Sequence, residues 1–115
     1  MMAGAAGVIR LSADDEVEIG LGLTEGIETG LALLTLAGWR PIWAAASAGA
    51  MAKFPVLVGI ESLTLFCDRD DKGAGLDAAR ECAARWRDAK RETRIELPPA
   101  GNDWLGALTS REAAA

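Results

Sequence analysis

The chain has 115 residues, a mass of 12.0 kDa and a formal net charge of −5. Such a length fits one domain and can bury a core without disulfides or a structural metal. Half of the residues are apolar and a quarter are charged, which excludes a disordered chain. The absence of histidine excludes Ser-His-Asp catalysis, Cys-His catalysis and histidine-bound zinc, so any chemistry must depend mainly on carboxylates.

The two cysteines, Cys67 and Cys82, are too few for the disulfide framework of a small secreted domain. We expect both to be buried, reduced thiols. The N-terminus lacks the pattern of a signal peptide, and no apolar stretch of about 18 residues is free of charge. The chain is therefore expected to be soluble and cytoplasmic, with no membrane partner.

Hydrophobic patterning predicts strands that alternate with helices along the chain. The predicted strands cover residues 17–23, 41–45, 62–67 and 93–97, with 7–11 as a candidate extra edge strand. Helices are predicted over 27–36, from a Ser47 cap to Lys53, along the apolar face Leu76, Ala79, Ala83, Trp86 and Ala89, and from about Asp103. This order indicates an α/β fold with a roughly four-stranded, mainly parallel sheet and helices on both faces.

Three acidic residues directly follow predicted strands. Glu25 comes after the first strand, and Asp68 and Asp70 come after the third. Because the carboxyl ends of parallel strands meet at one edge of the sheet, these carboxylates should lie together, and oxygen ligands alone favour Mg²⁺ or Mn²⁺. An ordinary turn is the alternative for the Asp-x-Asp pair by itself. A calcium-binding loop is rejected because Lys72 and Ala79 occupy its fifth and twelfth positions.

Residues 23–29 (LTEGIET) resemble the glutamate motif of Toprim domains, the metal-binding catalytic modules of DNA primases and topoisomerases. Residues 66–75 (FCDRDDKGAG) resemble their second signature, in which an apolar strand runs into Asp-x-Asp and a glycine. The segments 43–49 and 98–104 are similar to the primase type encoded by phages, plasmids and mobile elements. The resemblance covers about residues 8–108, so the whole chain is interpreted as one Toprim domain with a Rossmann-like fold.

The resemblance implies that Glu25 serves in acid–base or metal-binding chemistry and that Asp68 and Asp70 hold Mg²⁺ or Mn²⁺, which makes all three candidate catalytic residues. The implied reaction is nucleotidyl or phosphoryl transfer on a DNA template, where a metal offsets charge on phosphate oxygens. Further acids could support the site or simply cap helices and turns: Glu28, Asp71 and Asp103. Basic residues that could contact nucleic acid, with solvated surface as the default interpretation, are Lys72, Arg80, Arg87 and Arg91.

Primases of this type also resemble multi-part proteins with a zinc-binding module and a basic template-binding subdomain. This chain has neither a zinc-binding set of residues nor room for that subdomain, which suggests a C-terminal fragment, a truncated product or an excised domain. We therefore expect its partners to be DNA, nucleotides and a missing primase N-terminal region or helicase, and we expect little primer synthesis by the chain alone.

Two other functions compete with a catalytic module. The chain could be a non-catalytic accessory module that binds nucleic acid or a partner protein. A phosphotransfer receiver ranks last, because the lysine expected after a later strand has no convincing place in the sequence.

Overall fold

The structure is a computed structural model that describes residues 7–14, 17, 19–70 and 72–114, with side chains up to residue 110. Strands and helices alternate along the chain, which confirms the predicted α/β class. The elements are β1 (Val8–Ile9), β2 (Gly20–Thr24), α1 (Ile27–Leu36), β3 (Ile42–Ala45), α2 (Ala48–Ala52), β4 (Ser62–Phe66), α3 (Ala74–Asp88), β5 (Glu92–Glu96) and α4 (Trp104–Ala114). Within the described ranges, no helix combines the length and apolar character needed to cross a membrane.

The sheet has five strands in the order β1-β3-β2-β4-β5, and every neighbouring pair except β1–β3 is parallel. The predicted count of about four strands is therefore one short, and the candidate edge strand supplies the fifth. The β1–β3 ladder is only two residues long, because beyond it Ser12 forms a different set of hydrogen bonds to Ile42. The Ser12 hydroxyl accepts from the Ile42 N–H at 2.9 Å, and the Ser12 N–H donates to the Ile42 carbonyl at 2.9 Å.

The predicted strands differ from the observed ones by one to three residues at their ends, and hydrogen bonds explain the differences in β2 and β5. β2 begins at Gly20 rather than at residue 17, since the Val17 N–H donates to the Asp14 carbonyl at 3.0 Å and is lost to the sheet. β5 lies one residue earlier than predicted, because the Glu92 N–H already pairs with the Glu61 carbonyl at 2.8 Å.

The two faces of the sheet carry separate cores, as expected for helices on both faces. One core packs α2 and α3 against strand residues that include Leu21, Trp43 and Leu63. The other packs α1 and α4 against Ile42 and Phe66. Alternate residues of a strand point to opposite faces, so β3 and β4 contribute to both cores and the sheet is held from two sides.

The larger core contains two of the four tryptophans of the chain. Trp43 and Trp86 are fully buried, and the Phe54 ring is stacked on Trp86 with centroids 5.8 Å apart. Cys67 and Cys82 are also buried and unpaired, which confirms the interpretation of two structural thiols. Burial is the main cause that raises the pKa of each thiol to about 11, so both stay protonated at neutral pH.

Helix α3 buries most of the apolar face predicted for it. Ala79, Ala83 and Trp86 are buried against the sheet. Ala89 was also assigned to that face, and this is wrong: it lies after the helix and is exposed. The helix ends there because Lys90 adopts a positive φ of 67°, which cannot continue a right-handed helix.

Close packing of α1 on the sheet depends on two glycines. A methyl group on Gly22 would lie 2.5 Å from the Trp39 ring and 2.7 Å from Ile42 Cδ1. A methyl group on Gly30 would lie 2.5 Å from Leu11 Cδ1. These distances are shorter than any normal carbon–carbon contact, so both positions need the missing side chain.

We expect Gly22→Ala to lower the free energy of unfolding by about 1–3 kcal/mol, because the added methyl forces the Trp39 and Ile42 side chains to move. Gly20→Ala in the same strand is the matched control, since its methyl would meet only the Ser62 carbonyl oxygen at 3.9 Å. It should change the stability by less than about 0.5 kcal/mol. Urea denaturation of both variants measures the difference, and equal losses would contradict the packing argument.

Candidate metal centre

Glu25 is the first residue after β2 and lies at the carboxyl end of the sheet. Thr24, just before it, is fully buried, and its hydroxyl donates to the Gly26 carbonyl at 2.8 Å. This bond turns the chain out of the strand and into α1, which begins at Ile27. The Glu25 side chain is half-buried. Because no described residue donates a hydrogen bond to its carboxylate, both carboxylate oxygens are available to a ligand.

Asp68 lies two residues after β4 and is held by the start of α4. Its Oδ1 accepts a hydrogen bond from the Trp104 backbone N–H at 2.8 Å. Arg69, the next residue, holds the loop that leads to α4. Its backbone N–H donates to the Asn102 carbonyl at 2.6 Å, and its guanidinium donates to the Pro98 carbonyl at 3.3 Å. The orientation of Asp68 is therefore set by a segment far away in sequence.

Asp70 is held in the same way by the start of α3. Its Oδ1 accepts hydrogen bonds from the N–H groups of Gly73 and Ala74, the latter at 3.2 Å, and its Oδ2 lies 3.5 Å from the Gly75 nitrogen. Asp70 thus satisfies backbone donors that the first turn of a helix leaves without an intrahelical partner. The Asp70 carboxylate is a helix cap as well as a candidate ligand.

The carboxylates of Glu25 and Asp70 converge over Gly75. A methyl group on Gly75 would lie 3.0 Å from Glu25 Oε1 and 3.7 Å from Asp70 Oδ2, with the Asp68 carbonyl oxygen at 3.9 Å. Glycine therefore keeps open a small gap that faces oxygens from both strand ends. Gly75 has no role among the residues predicted from the sequence, although a glycine in the first turn of an otherwise alanine-rich helix is a local signal for one.

Burial and neighbouring acids act together on the groups at this edge. Burial, followed by the charges of Asp68 and Asp70, raises the pKa of Glu25 above its usual value. The thiol of Cys67, whose pKa is raised mainly by burial, is also affected by all three acids, with Arg80 acting in the opposite direction. The acids at the strand ends therefore lie within electrostatic reach of one another.

These donors suit a magnesium or manganese ion. Within the described part of the chain, no three Asp, Glu, Cys or His side chains are placed to enclose a metal ion by themselves. Mg²⁺ commonly takes only one or two protein carboxylates and fills its other positions with water and substrate phosphates. Glu25 Oε1 and Asp70 Oδ2, which face the gap over Gly75, fit that pattern.

The other predicted acids lie differently. Glu28 is exposed in the first turn of α1. Asp103 is exposed and caps α4, where its Oδ1 accepts from the Gly106 N–H at 2.5 Å. Asp71 lies outside the described residues. The structure therefore brings together Glu25, Asp68 and Asp70, whereas Glu28 and Asp103 occupy positions typical of helix starts.

The predicted basic residues separate into two groups. Lys72, Arg80 and Arg87 are exposed. Arg91 is half-buried, and its Nε is buried without a hydrogen-bond partner among the described residues. The first three are available to a ligand, whereas Arg91 is partly withdrawn into the protein.

We expect Glu25→Gln to raise the free energy of unfolding of the metal-free protein at neutral pH. A carboxyl group whose pKa is raised by folding binds its proton more tightly in the folded state, so its ionised form costs stability above that pKa. The gain should disappear at about pH 4 and below, where the wild-type carboxyl is itself protonated.

Thermal unfolding in a chelator at both pH values measures this effect. Glu28→Gln is the matched control: an exposed acid in the first turn of a helix is favoured by the helix dipole, so its neutralisation should bring no gain. A loss of stability in Glu25→Gln at neutral pH would show that the carboxylates do not repel one another as described.

Comparison with protein families bears directly on this site. A family model described as "Toprim domain" matches residues 20–114, from the first residue of β2 to the end of α4. No curated protein and no solved structure matches the chain. The match includes all three converging acids and fits the mostly parallel, Rossmann-like sheet. Since the match covers most of its length, the chain belongs to the Toprim domain family.

Proposed function

We propose that this chain is the Mg²⁺-dependent catalytic Toprim module of a DNA primase-like protein and supports nucleotidyl transfer on a DNA template. Family membership supports metal binding and nucleic-acid chemistry in general, and the primase type rests on the resemblance of segments 43–49 and 98–104. The observation that supports the proposal is that Glu25 Oε1 and Asp70 Oδ2 face the same gap over Gly75 at the carboxyl ends of β2 and β4, where Asp68 also leaves the sheet.

The three acids have different tasks in this proposal. Helix N–H groups orient Asp68 and Asp70 mainly through the Oδ1 atom of each, and the Gly75 N–H reaches Asp70 Oδ2 only at 3.5 Å. Oδ2 is therefore the oxygen better placed for a cation in both aspartates. A bound Mg²⁺ supplies charge that offsets the negative charge on phosphate oxygens during transfer. Glu25 is suited to exchange a proton with the attacking hydroxyl, since its raised pKa brings it closer to neutral pH.

An exposed basic stripe on α3 is the proposed contact for the DNA template. Arg80 and Arg87 are seven residues apart, which places them on one face of the helix and about 10 Å apart along its axis. Both are exposed, and α3 begins at the acidic site. A phosphate backbone that follows this face would therefore lead into the metal centre.

We expect Mn²⁺, used as a probe for Mg²⁺, to bind the wild-type chain and to bind Asp68→Asn, Asp70→Asn and Glu25→Gln at least about tenfold more weakly. Amide variants keep a hydrogen-bond acceptor for the helix N–H groups but lose the charge, so they separate metal binding from helix capping. Isothermal titration calorimetry measures the affinities.

Asp88→Asn is the control, because Asp88 lies at the opposite end of α3 from the site. It should bind Mn²⁺ like the wild type. If the wild type and all three site variants responded alike, the metal centre would be refuted, and the non-catalytic accessory module would become the better interpretation.

We expect Arg80→Ala and Arg87→Ala each to weaken binding of single-stranded DNA several-fold at low salt, and to reduce the salt dependence of binding by about one phosphate contact. Arg94→Ala is the matched control: Arg94 is also exposed, but it lies on β5 and lines a cavity on the α1–α4 side of the sheet. Fluorescence anisotropy over a range of salt concentrations measures both quantities. An equal loss in Arg94→Ala would indicate attraction by overall charge rather than by α3.

A further inference from the structure

Strand β5 is an open edge of the sheet. It is last in the strand order and pairs only with β4 along its five residues. Thr93 and Ile95 are half-buried, and their side chains lie on the α2–α3 side, where Ile95 packs against the larger core. Glu92, Arg94 and Glu96 point to the other side, where Arg94 and Glu96 line a cavity of about 230 Å³.

The hydrogen bonds to β4 fix which backbone groups face outwards. The Glu92 N–H donates to the Glu61 carbonyl, and the Glu96 carbonyl accepts from the Cys67 N–H. In a parallel pair, alternate residues bond to the neighbour, so Glu92, Arg94 and Glu96 are turned to β4. The N–H and C=O groups of Thr93 and Ile95 therefore point away from the sheet, and no described residue pairs with them.

An edge of this kind can pair with the same edge of a second copy. A two-fold axis perpendicular to the sheet makes the two β5 strands antiparallel. Outward-facing residues must then lie opposite outward-facing residues, so the axis passes through one residue of the strand, and residues 93 to 96 at the axis give four such registers. The charges and apolar side chains on the strand distinguish these registers.

Two registers are complementary in charge, and one of them also brings apolar side chains together. With the axis at Thr93, Arg94 of each copy lies opposite Glu92 of the other, but Thr93 meets Thr93 and Ile95 lies opposite Arg91. With the axis at residue 94, Arg94 opposes Arg94 of the second copy, and Glu92 opposes Glu96. With the axis at residue 96, the two Glu96 side chains oppose each other. With the axis at Ile95, Arg94 of each copy lies directly opposite Glu96 of the other, which gives two cross-strand ion pairs and an apolar Ile95 contact.

We propose that the β5 edge is a self-association surface, through which two copies of this chain pair antiparallel about Ile95 to form one continuous ten-stranded sheet. The pairing uses the backbone groups of Thr93 and Ile95 that the single chain leaves unpaired. Strand direction reverses at the axis, so the two acidic sites lie at opposite ends of the joined sheet. The inference is independent of the proposed catalytic function, since none of the three converging acids takes part.

Cysteine cross-linking reads the register directly. Residues on the axis of an antiparallel pair have Cα atoms about 5.5 Å apart when hydrogen-bonded, which is within disulfide range. Oxidation of the Ile95→Cys variant is therefore expected to give a covalent dimer. Thr93→Cys should not give one, because each Thr93 lies opposite residue 97 of the other copy. Cys67 and Cys82 are buried and protonated at neutral pH, so they do not compete.

Charge exchange provides a second measurement on the folded, uncross-linked protein. Arg94→Glu and Glu96→Arg should each weaken dimerisation about tenfold or more in sedimentation equilibrium, because each creates two like-charge pairs across the axis. The double variant Arg94→Glu/Glu96→Arg restores both ion pairs and should recover the wild-type dissociation constant within about threefold.

Three outcomes would overturn the proposal. The first is a wild-type chain that sediments as a monomer up to about 1 mM, beyond which an association is too weak to matter. The second is cross-linking of Thr93→Cys, Arg94→Cys or Glu96→Cys in preference to Ile95→Cys, which would assign another register. The third is a double variant that associates no better than either single variant, which would show that Arg94 and Glu96 do not pair across the axis.

Discussion

Hydrogen bonds between two aspartates and the starts of two helices are the interactions on which the candidate site depends. Carboxylates placed side by side repel one another, and Asp68 and Asp70 can lie together because backbone N–H groups at the starts of α4 and α3 hold them. Glu25 has no such donor among the described residues. Burial, followed by repulsion from Asp68 and Asp70, therefore raises its pKa. Asp68 and Asp70 are thus held by backbone hydrogen bonds, whereas the Glu25 carboxylate is free to bind a ligand.

The sheet determines where these acids emerge. Thr24 and Phe66 are register partners in the parallel pair β2–β4, so Glu25 and Cys67 leave the sheet at the same level and Asp68 follows one residue later. The two cores hold this pair from both faces. Gly30 of α1 lies close to Thr24 and Ile42, so the helix that starts beside Glu25 packs tightly on the strand that ends there. Packing of the two cores against the sheet therefore determines where the acidic side chains lie at its carboxyl end.

The sequence predicted the acidic residues of this site better than the hydrogen bonds and packing contacts that hold them. Strand-end acids could be assigned to one edge because parallel pairing needs only the strand boundaries, and the match to the Toprim family agrees. The hydrogen bond between Asp68 and the Trp104 N–H joins residues 36 positions apart, so no local sequence pattern predicts it. The gap over Gly75 and the exposure of Ala89 likewise depend on where the chain turns, which periodicity locates only roughly. The roles of Glu28 and Asp103 stay predictions.

The starts of three helices meet at the carboxyl end of this sheet: α1 begins two residues after Glu25, α3 begins at the Asp70 cap, and α4 begins at the residue that holds Asp68. The peptide dipoles of a helix give its first turn a partial positive charge that belongs to the backbone and does not titrate. The site therefore has a constant positive background potential beneath its acids. An anionic phosphate would experience this background at every pH, even while the side chains above it gain or lose protons.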